Sequence, residues 1–272
     1  MATTSARRAT ATFAISDFSY GVTAPLFGCS CCGLVQAVAT GNLVDEYSDL
    51  DDPAYLATWR ARVRQAESLV SFAQRFVRTG THLDVGAAYG ALVAVAAARG
   101  FDTTGIDPSV PMTEEARRRG LPVLTGTLPD IRVAGPYDLV TAVDVLEHIA
   151  DPMGLLRTIH AITRPQRVML LATPDVESLA AKLLGHRWWH YRVAHVSYFS
   201  QVTLARALRE SGFTLEAIVC PTWYLPLGYL TVRGFSYLPG LRHVKRLPAA
   251  LDRVTVSLNL MDSLLVVCRR AG

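Results

Sequence analysis

Apolar positions along the chain change their period near residue 80. Between Asp51 and about Val77 they recur every three or four residues, placing Leu56, Val63, Leu69, Val70 and Phe76 near one face of a predicted helix. Asp51-Asp52-Pro53 marks its start, because an aspartate can accept from the free amides of a first turn and proline fits that turn. Further on, short apolar runs alternate with helical segments. Strands are predicted at 82–85, 103–106, 122–124, 138–143, 167–172, 214–219 and 264–267. Helices are predicted at 90–98, ended by Gly100, at 111–120, after Asp151-Pro152, and at 201–211, capped by Ser200 and stopped by Gly212. Such alternation predicts an α/β fold with a parallel, doubly wound sheet.

Two segments, 175–199 and 221–262, interrupt the alternation. Both follow late strands, on the side where such sheets bind ligands, so they are expected to form a substrate lid. Residues 1–50 read as an irregular N-terminal cap with one strand-like stretch at 34–39, and residues 51–272 as the main domain.

Composition narrows the class. The chain has 272 residues, half of them apolar and 18% charged, enough to bury a substantial core. A net charge of +4 is too diffuse to imply nucleic-acid binding. No apolar run approaches the ~20 residues of a membrane span. Arg7 and Arg8 are followed by no apolar signal region, so a cytoplasmic protein is expected. Five cysteines, Cys29, Cys31, Cys32, Cys220 and Cys268, without an export signal argue for reduced thiols.

Asp84-Val85-Gly86-Ala87-Ala88-Tyr89-Gly90 reads as a strand running into a tight turn and a helix, where backbone and helix amides can approach a ligand. Gly105-Ile106-Asp107-Pro108-Ser109 follows the next strand and offers an acid about where a ribose would need one. The spacing G-x-A-x-G differs from the dinucleotide pattern G-x-G-x-x-G, which argues against a nicotinamide enzyme. Asp84, directly ahead of it, suits an ammonium group and would repel a pyrophosphate.

Asp84 to Gly90, Ile106 to Ser109, Tyr137-Asp138-Leu139-Val140 with Val145-Leu146-Glu147-His148, and Leu171 to Pro174 together resemble successive motifs of class I S-adenosylmethionine-dependent methyltransferases. The branch most similar contains the ubiquinone-biosynthesis O-methyltransferases and many sugar and natural-product methyltransferases. The stretch from His195 to Phe213 also looks like that branch. The resemblance implies a Rossmann-like seven-stranded sheet and S-adenosylmethionine as cofactor. It implies that Gly86 and Gly90 line the methionine part, with Ala88 in place of the usual middle glycine. By the same resemblance Asp107 holds the ribose hydroxyls, and Ser109 and Thr127 lie near the adenine.

On the acceptor side, Asp144 begins an acid-x-x-Glu-His run that, in the ubiquinone-type enzymes, can hold a divalent cation. Here Asp144 shortens the reach, and the favoured reading has no metal, with Glu147 and His148 capping and bracing the next helix and Asp144 orienting the cofactor. His186, Trp188, Trp189, His190 and His195 crowd one insert; His195 is a candidate base, while the tryptophans suit lid packing. Asp144, His148 and His195 are the catalytic candidates. Cys29-Ser30-Cys31-Cys32-Gly33-Leu34 resembles one knuckle of a zinc ribbon, but no cysteine precedes it and no histidine occurs before His82, so a decayed ribbon is expected.

The segment 223–256 carries Arg233, Arg242, His243, Lys245, Arg246 and Arg253 among apolar residues. It could meet a membrane surface or a lipid-linked acceptor; the blander reading, preferred here, packs it on the sheet or on a second copy in a homodimer. The expected function is methyl transfer to a small-molecule acceptor, a hydroxyl of a sugar or secondary metabolite. The alternatives are a non-catalytic partner protein of the same fold and a nicotinamide enzyme. A nucleic-acid methyltransferase is disfavoured, since neither an Asn/Asp-Pro-Pro-aromatic tetrapeptide nor a basic stripe is present.

Overall fold

The computed structural model describes residues 13–16, 21, 23–38, 43–131, 133–238, 240–241, 243–244, 247–248 and 250–272. The reading of the first twelve residues and the basic lid positions Arg242, Lys245 and Arg246 lie outside them. Strands β3 (Gly80–Val85), β4 (Phe101–Asp107), β5 (Val123–Thr125), β6 (Tyr137–Val143), β7 (Thr163–Pro174), β9 (Phe213–Val219) and β12 (Ser263–Arg270) form one sheet. Its order is β5-β4-β3-β6-β7-β12-β9. The first five strands run parallel, and β12 lies antiparallel between β7 and β9. The seven-stranded, Rossmann-like architecture expected from the sequence is therefore present.

Parallel strands are covered on both faces, so most positions in their middles are apolar, with His82, Asp84, Thr103 and Thr141 as buried polar exceptions. Leu83, Val140 and Leu171 turn to one side and Leu139, Leu170 and Val267 to the other. Helices α3 (Trp59–Ala73) and α4 (Ala91–Ala98) cover the second face through Leu69, Val70, Leu92 and Val95. Helices α6 (Pro152–Ile162) and α8 (Gln201–Glu210) cover the first through Leu156, Ile159, Leu204 and Leu208. Ser200 caps α8 reciprocally with Thr203, as its sequence position suggested. The remaining helix of the sheet layers, α5 (Val110–Arg118), connects β4 to β5.

Several boundaries differ from the pattern. The helix expected from Pro53 to about Val77 breaks at Thr58 into α2 (Pro53–Ala57) and α3, because the Thr58 hydroxyl donates to the Tyr55 carbonyl (2.6 Å) and closes the first piece. Strand β7 is twice the expected length. Ahead of these, β1 (Leu26–Gly28) and β2 (Val35–Ala37) form a hairpin, and β2 pairs with β8 (Ser197–Tyr198) from the first insert. Helix α1 (Leu43–Ser48) follows the hairpin. The first insert also holds α7 (Leu179–Leu184), and the second holds an antiparallel pair, β10 (Trp223–Pro226) and β11 (Thr255–Leu258), with α9 (Leu227–Ser236) between them. Among the described residues no helix is long and apolar enough to cross a membrane.

Candidate active site

The strand order reverses between β3 and β6, where a doubly wound sheet leaves a crevice beyond its carboxyl ends. A cavity of about 390 Å³ opens there. Asp84, Gly86, Ala88, Asp107 and Thr127 line one part of it, and Asp144, His148, Trp189, His190 and His195 another.

The turn after β3 is built by main-chain bonds. The amides of Gly86 and Ala87 both donate to the Ile106 carbonyl (2.9 and 3.0 Å), tying the turn to β4. Gly86 has φ +77°, and a Cβ there would overlap the Val145 side chain, so glycine is required. Ala88 holds φ +48°, a left-handed value rare for a residue with a Cβ. Its amide donates to Asp107 Oδ2 (2.8 Å) and the Ser109 amide to Oδ1 (2.9 Å). Burial nonetheless pushes the Asp107 carboxyl up to about 6, against those two donors. Asp84 is pushed up to about 7, chiefly by burial, with the Thr141 hydroxyl opposing and Asp107 adding to it. Two enclosed carboxyls at the ends of adjacent strands suit a ligand that brings an ammonium and vicinal hydroxyls, which is the donor set S-adenosylmethionine presents.

Two of the expected cofactor residues lie off the cavity wall. Ser109 does not line the cavity: its hydroxyl donates to the Leu50 carbonyl (2.5 Å) and accepts from the Met112 amide (3.1 Å), capping α5. Gly90 is likewise absent from the wall. It is the N-cap of α4 with φ +81°, and a side chain there would meet Leu121. Thr127 does face the cavity, with its hydroxyl on Asp130 Oδ2 (2.5 Å).

The acceptor side is crowded with titratable groups. Asp144, at φ +53°, is exposed to the cavity. Enclosure by the walls raises its carboxyl to about 7, with Arg62 opposing and Asp262 adding to the rise. Glu147 is 2% exposed, accepts from the Thr173 hydroxyl (3.0 Å), and is raised well above the usual range by burial and then by Asp144. His148 Nδ1 lies 2.9 Å from the Ala194 carbonyl and 2.6 Å from the Tyr47 hydroxyl. A carbonyl only accepts, so in the tautomer that bonds Ala194 the proton is on Nδ1 and Nε2 keeps its lone pair. Burial lowers His148 to about 4 and His195 well below its ordinary value, so both rings are neutral. Their centroids are 4.7 Å apart, edge to face, and His195 Nδ1 has no hydrogen-bond partner among the described residues. The idea that Glu147 and His148 cap the next helix is not met, since Asp151 caps α6 by accepting from Gly154.

Glu147, His148 and His195 each offer a ligand atom, all within 4.8 Å of one another, whereas Asp144 is outside that group. Two imidazoles and a carboxylate are ligands a divalent transition metal takes, and such an ion would lower the pKa of a hydroxyl bound to it. Cys29, Cys31 and Cys32 do not belong to any such group of described residues; they sit at the β1–β2 turn as free thiols. The Cys29 thiol is lowered, first by the amides of Cys32 and Cys31.

The sequence reading missed Tyr47, Tyr55 and Arg62, and it gave Trp223, Tyr229 and Asp262 only as part of the expected lid 221–262; all six line the cavity. Only Arg62 left a signal, a cation beside the apolar face of α3. Trp188 is fully buried among Ala181, Tyr198 and the β1–β2 hairpin, while Trp189 turns into the cavity.

Comparison with known proteins bears on the family and the fold. The family model described as methyltransferase domain matches residues 57–218. The ubiquinone biosynthesis O-methyltransferase of Methylobacterium sp. is 32% identical over 161 residues, covering 54% of this chain and 64% of that protein. That of Xanthomonas axonopodis pv. citri is 30% identical over 157 residues, covering 50% and 63%. The match thus spans less than two thirds of these curated relatives. Among solved structures, magnesium protoporphyrin IX methyltransferase from Synechocystis, with bound S-adenosylhomocysteine, superposes with a TM-score of 0.53 at 14% identity, covering 86% of this chain and 90% of that one. An S-adenosylmethionine-dependent methyltransferase from Mesorhizobium loti gives 0.52 at 20% identity, covering 76% and 100%. At those identities the structures speak for the fold alone.

Proposed function

The chain belongs to the methyltransferase-domain family, and from that premise we propose that it moves a methyl group from S-adenosylmethionine to a hydroxyl of a small molecule. One observation carries the reading: a single cavity is lined by Asp84, Gly86 and Asp107 and also by His148, His195 and Trp189. When bound, S-adenosylmethionine supplies a methyl already activated on a sulfonium. Asp84 would take its ammonium and Asp107 its ribose hydroxyls, with Gly86 and Ala88 against the methionine part and Thr127 toward the adenine.

The neutral rings of His148 and His195 would accept the acceptor's proton. Burial that keeps them neutral also makes them weak bases, so alignment of the acceptor supplies the larger share of rate. Asp144 would orient the reacting groups from the rim. The segments 175–199 and 221–262 serve as the lid, since both supply cavity walls. Ring-shaped acceptors such as sugars or phenols suit the wall made by Trp189, Trp223 and Tyr229.

The test is calorimetric titration with S-adenosylmethionine and S-adenosylhomocysteine, with NAD as control, followed by transfer of labelled methyl to a panel of sugars and phenols. Micromolar binding of the first two alone is expected. Asp107→Ala should abolish that binding while the chain stays folded; unchanged affinity in this variant refutes the assignment.

A further inference from the structure

Four buried polar groups connect the cofactor side of the cavity to the centre of the sheet. Thr103 on β4, His82 and Asp84 on β3, and Thr141 on β6 occupy facing register positions, His82 opposite Thr103 and Asp84 opposite Thr141. His82 Nδ1 lies 2.7 Å from Thr103 Oγ1, and His82 Nε2 lies 2.9 Å from Thr141 Oγ1. The Thr141 hydroxyl donates to Asp84 Oδ1 at 2.6 Å. His82 is 0% exposed, Thr141 1% and Asp84 4%.

Hydrogen counting fixes the direction of every bond. An ionised Asp84 can only accept, so Thr141 spends its single proton there. Thr141 can then only accept from His82, which places the ring proton on Nε2. Nδ1 is left bare and accepts from Thr103. If Asp84 instead takes up a proton and donates it to Thr141, the Thr141 proton is freed for His82 Nε2 or for the Leu83 carbonyl 3.5 Å away, and where it goes to His82 the ring proton moves to Nδ1. Burial alone lowers His82 to about 3, so the ring is neutral in both senses and the chain switches order without gaining charge. The charged or titratable groups acting on Asp84 from other elements are Asp107 at the end of β4, which opposes its ionisation, and the Tyr55 phenol on α2. Phe101, whose ring centroid lies 5.8 Å from that of His82, adds no charge.

We propose that Thr103, His82 and Thr141 form an oriented hydrogen-bond chain that holds Asp84 as a fixed, ionised acceptor for the cofactor's ammonium group. His82 and Thr141 are thus positioning residues, acting through Asp84. The proposal rests on the reading that Asp84 faces that ammonium.

The experiment joins calorimetry with S-adenosylhomocysteine from pH 5.5 to 8.5 to nitrogen NMR of the His82 ring. Thr141→Val keeps the shape and removes the hydroxyl. It is expected to weaken binding roughly 10- to 100-fold at pH 7 and to move the pH midpoint of binding upward, as loss of a charge-assisted bond in a dry site should. Thr141→Ser is expected to restore both. In the unaltered protein above pH 8, the His82 proton is expected on Nε2. Wild-type affinity and midpoint in Thr141→Val, or a His82 proton fixed on Nδ1 at that pH, overturns the chain. The NMR result needs no variant, so a Thr141→Val protein that fails to fold leaves the proposal open to refutation. A wild-type protein that takes up no S-adenosylhomocysteine overturns the cofactor reading itself, and with it the role given to the chain.

Discussion

Replacing Asp84 by Asn should make the ligand-free protein more stable at neutral pH while weakening its hold on the cofactor. The carboxyl titrates near 7 instead of its ordinary 3.8 because it is enclosed. A difference of that size corresponds to roughly 4 kcal/mol, at about 1.4 kcal/mol per tenfold change in proton affinity. The sign follows from proton linkage: the folded state keeps a proton that the unfolded chain has already released. Stability from this group is therefore full below pH 4 and is lost as pH rises through 7. Asparagine resembles the protonated acid and does not titrate. Urea unfolding of both proteins from pH 4.5 to 8 should show the Asn variant ahead by only about 1 kcal/mol at the acid end and by up to roughly 4 kcal/mol at pH 8. Saturating S-adenosylhomocysteine should close or reverse that gap, because its ammonium stabilises only the ionised wild-type side chain. Parallel curves across the whole range, with or without ligand, would refute the argument that enclosure raises this carboxyl.

Gly86→Ala puts a methyl at φ +77° and against Val145, so urea unfolding should show a loss of about 2–4 kcal/mol. Ala88→Gly relieves a left-handed alanine at the cost of chain entropy; stability should change by less than about 1 kcal/mol, and calorimetry should find cofactor affinity equal or tighter. Trp188→Ala empties the centre of the cluster that joins the first insert to the N-terminal hairpin, and should cost about 3–5 kcal/mol in the same unfolding assay.

Much of the sheet was legible because its strands are short apolar runs separated by capped helices, and local signals of that kind carry position. Asp52, Ser200 and Asp151 each cap the helix that their place in the sequence announces. What the pattern could not show is pairing between distant segments. Val35 meets Tyr198, and β12 enters antiparallel between β7 and β9; no periodicity records either fact. Two residues expected at the cofactor lie off the cavity wall for a local reason. Ser109 and Gly90 sit inside a ligand-binding motif, yet the Ser109 hydroxyl caps α5 and the Gly90 amide donates to the Ala87 carbonyl (2.8 Å), so each polar group is spent within the chain. Ser109 ahead of Val110-Pro111 is itself a helix-start signal, so that correction was available from the sequence. Tyr47 reaches the cavity only through tertiary packing and leaves no local mark, and for Trp223 and Asp262 the sequence marked the segment but not the residue.

The acids around the cavity explain why the site should prefer a ligand carrying positive charge. Asp84, Asp107, Asp144 and Glu147 are all raised by enclosure, and the charges of Asp107 on Asp84 and of Asp144 on Glu147 add to it. Each would ionise more readily with a cation beside it, but of the wall's arginines Arg62 acts on Asp144 and Tyr55 and Arg192 on Glu147, and neither acts on Asp84 or Asp107. A ligand that brings its own ammonium and sulfonium supplies what these carboxyls lack, whereas a pyrophosphate would add two more negative charges to the same enclosure. The discrimination against a dinucleotide that the glycine spacing suggested therefore has an electrostatic ground as well. It comes from the side chains at the ends of β3, β4 and β6, independently of the shape of the turn.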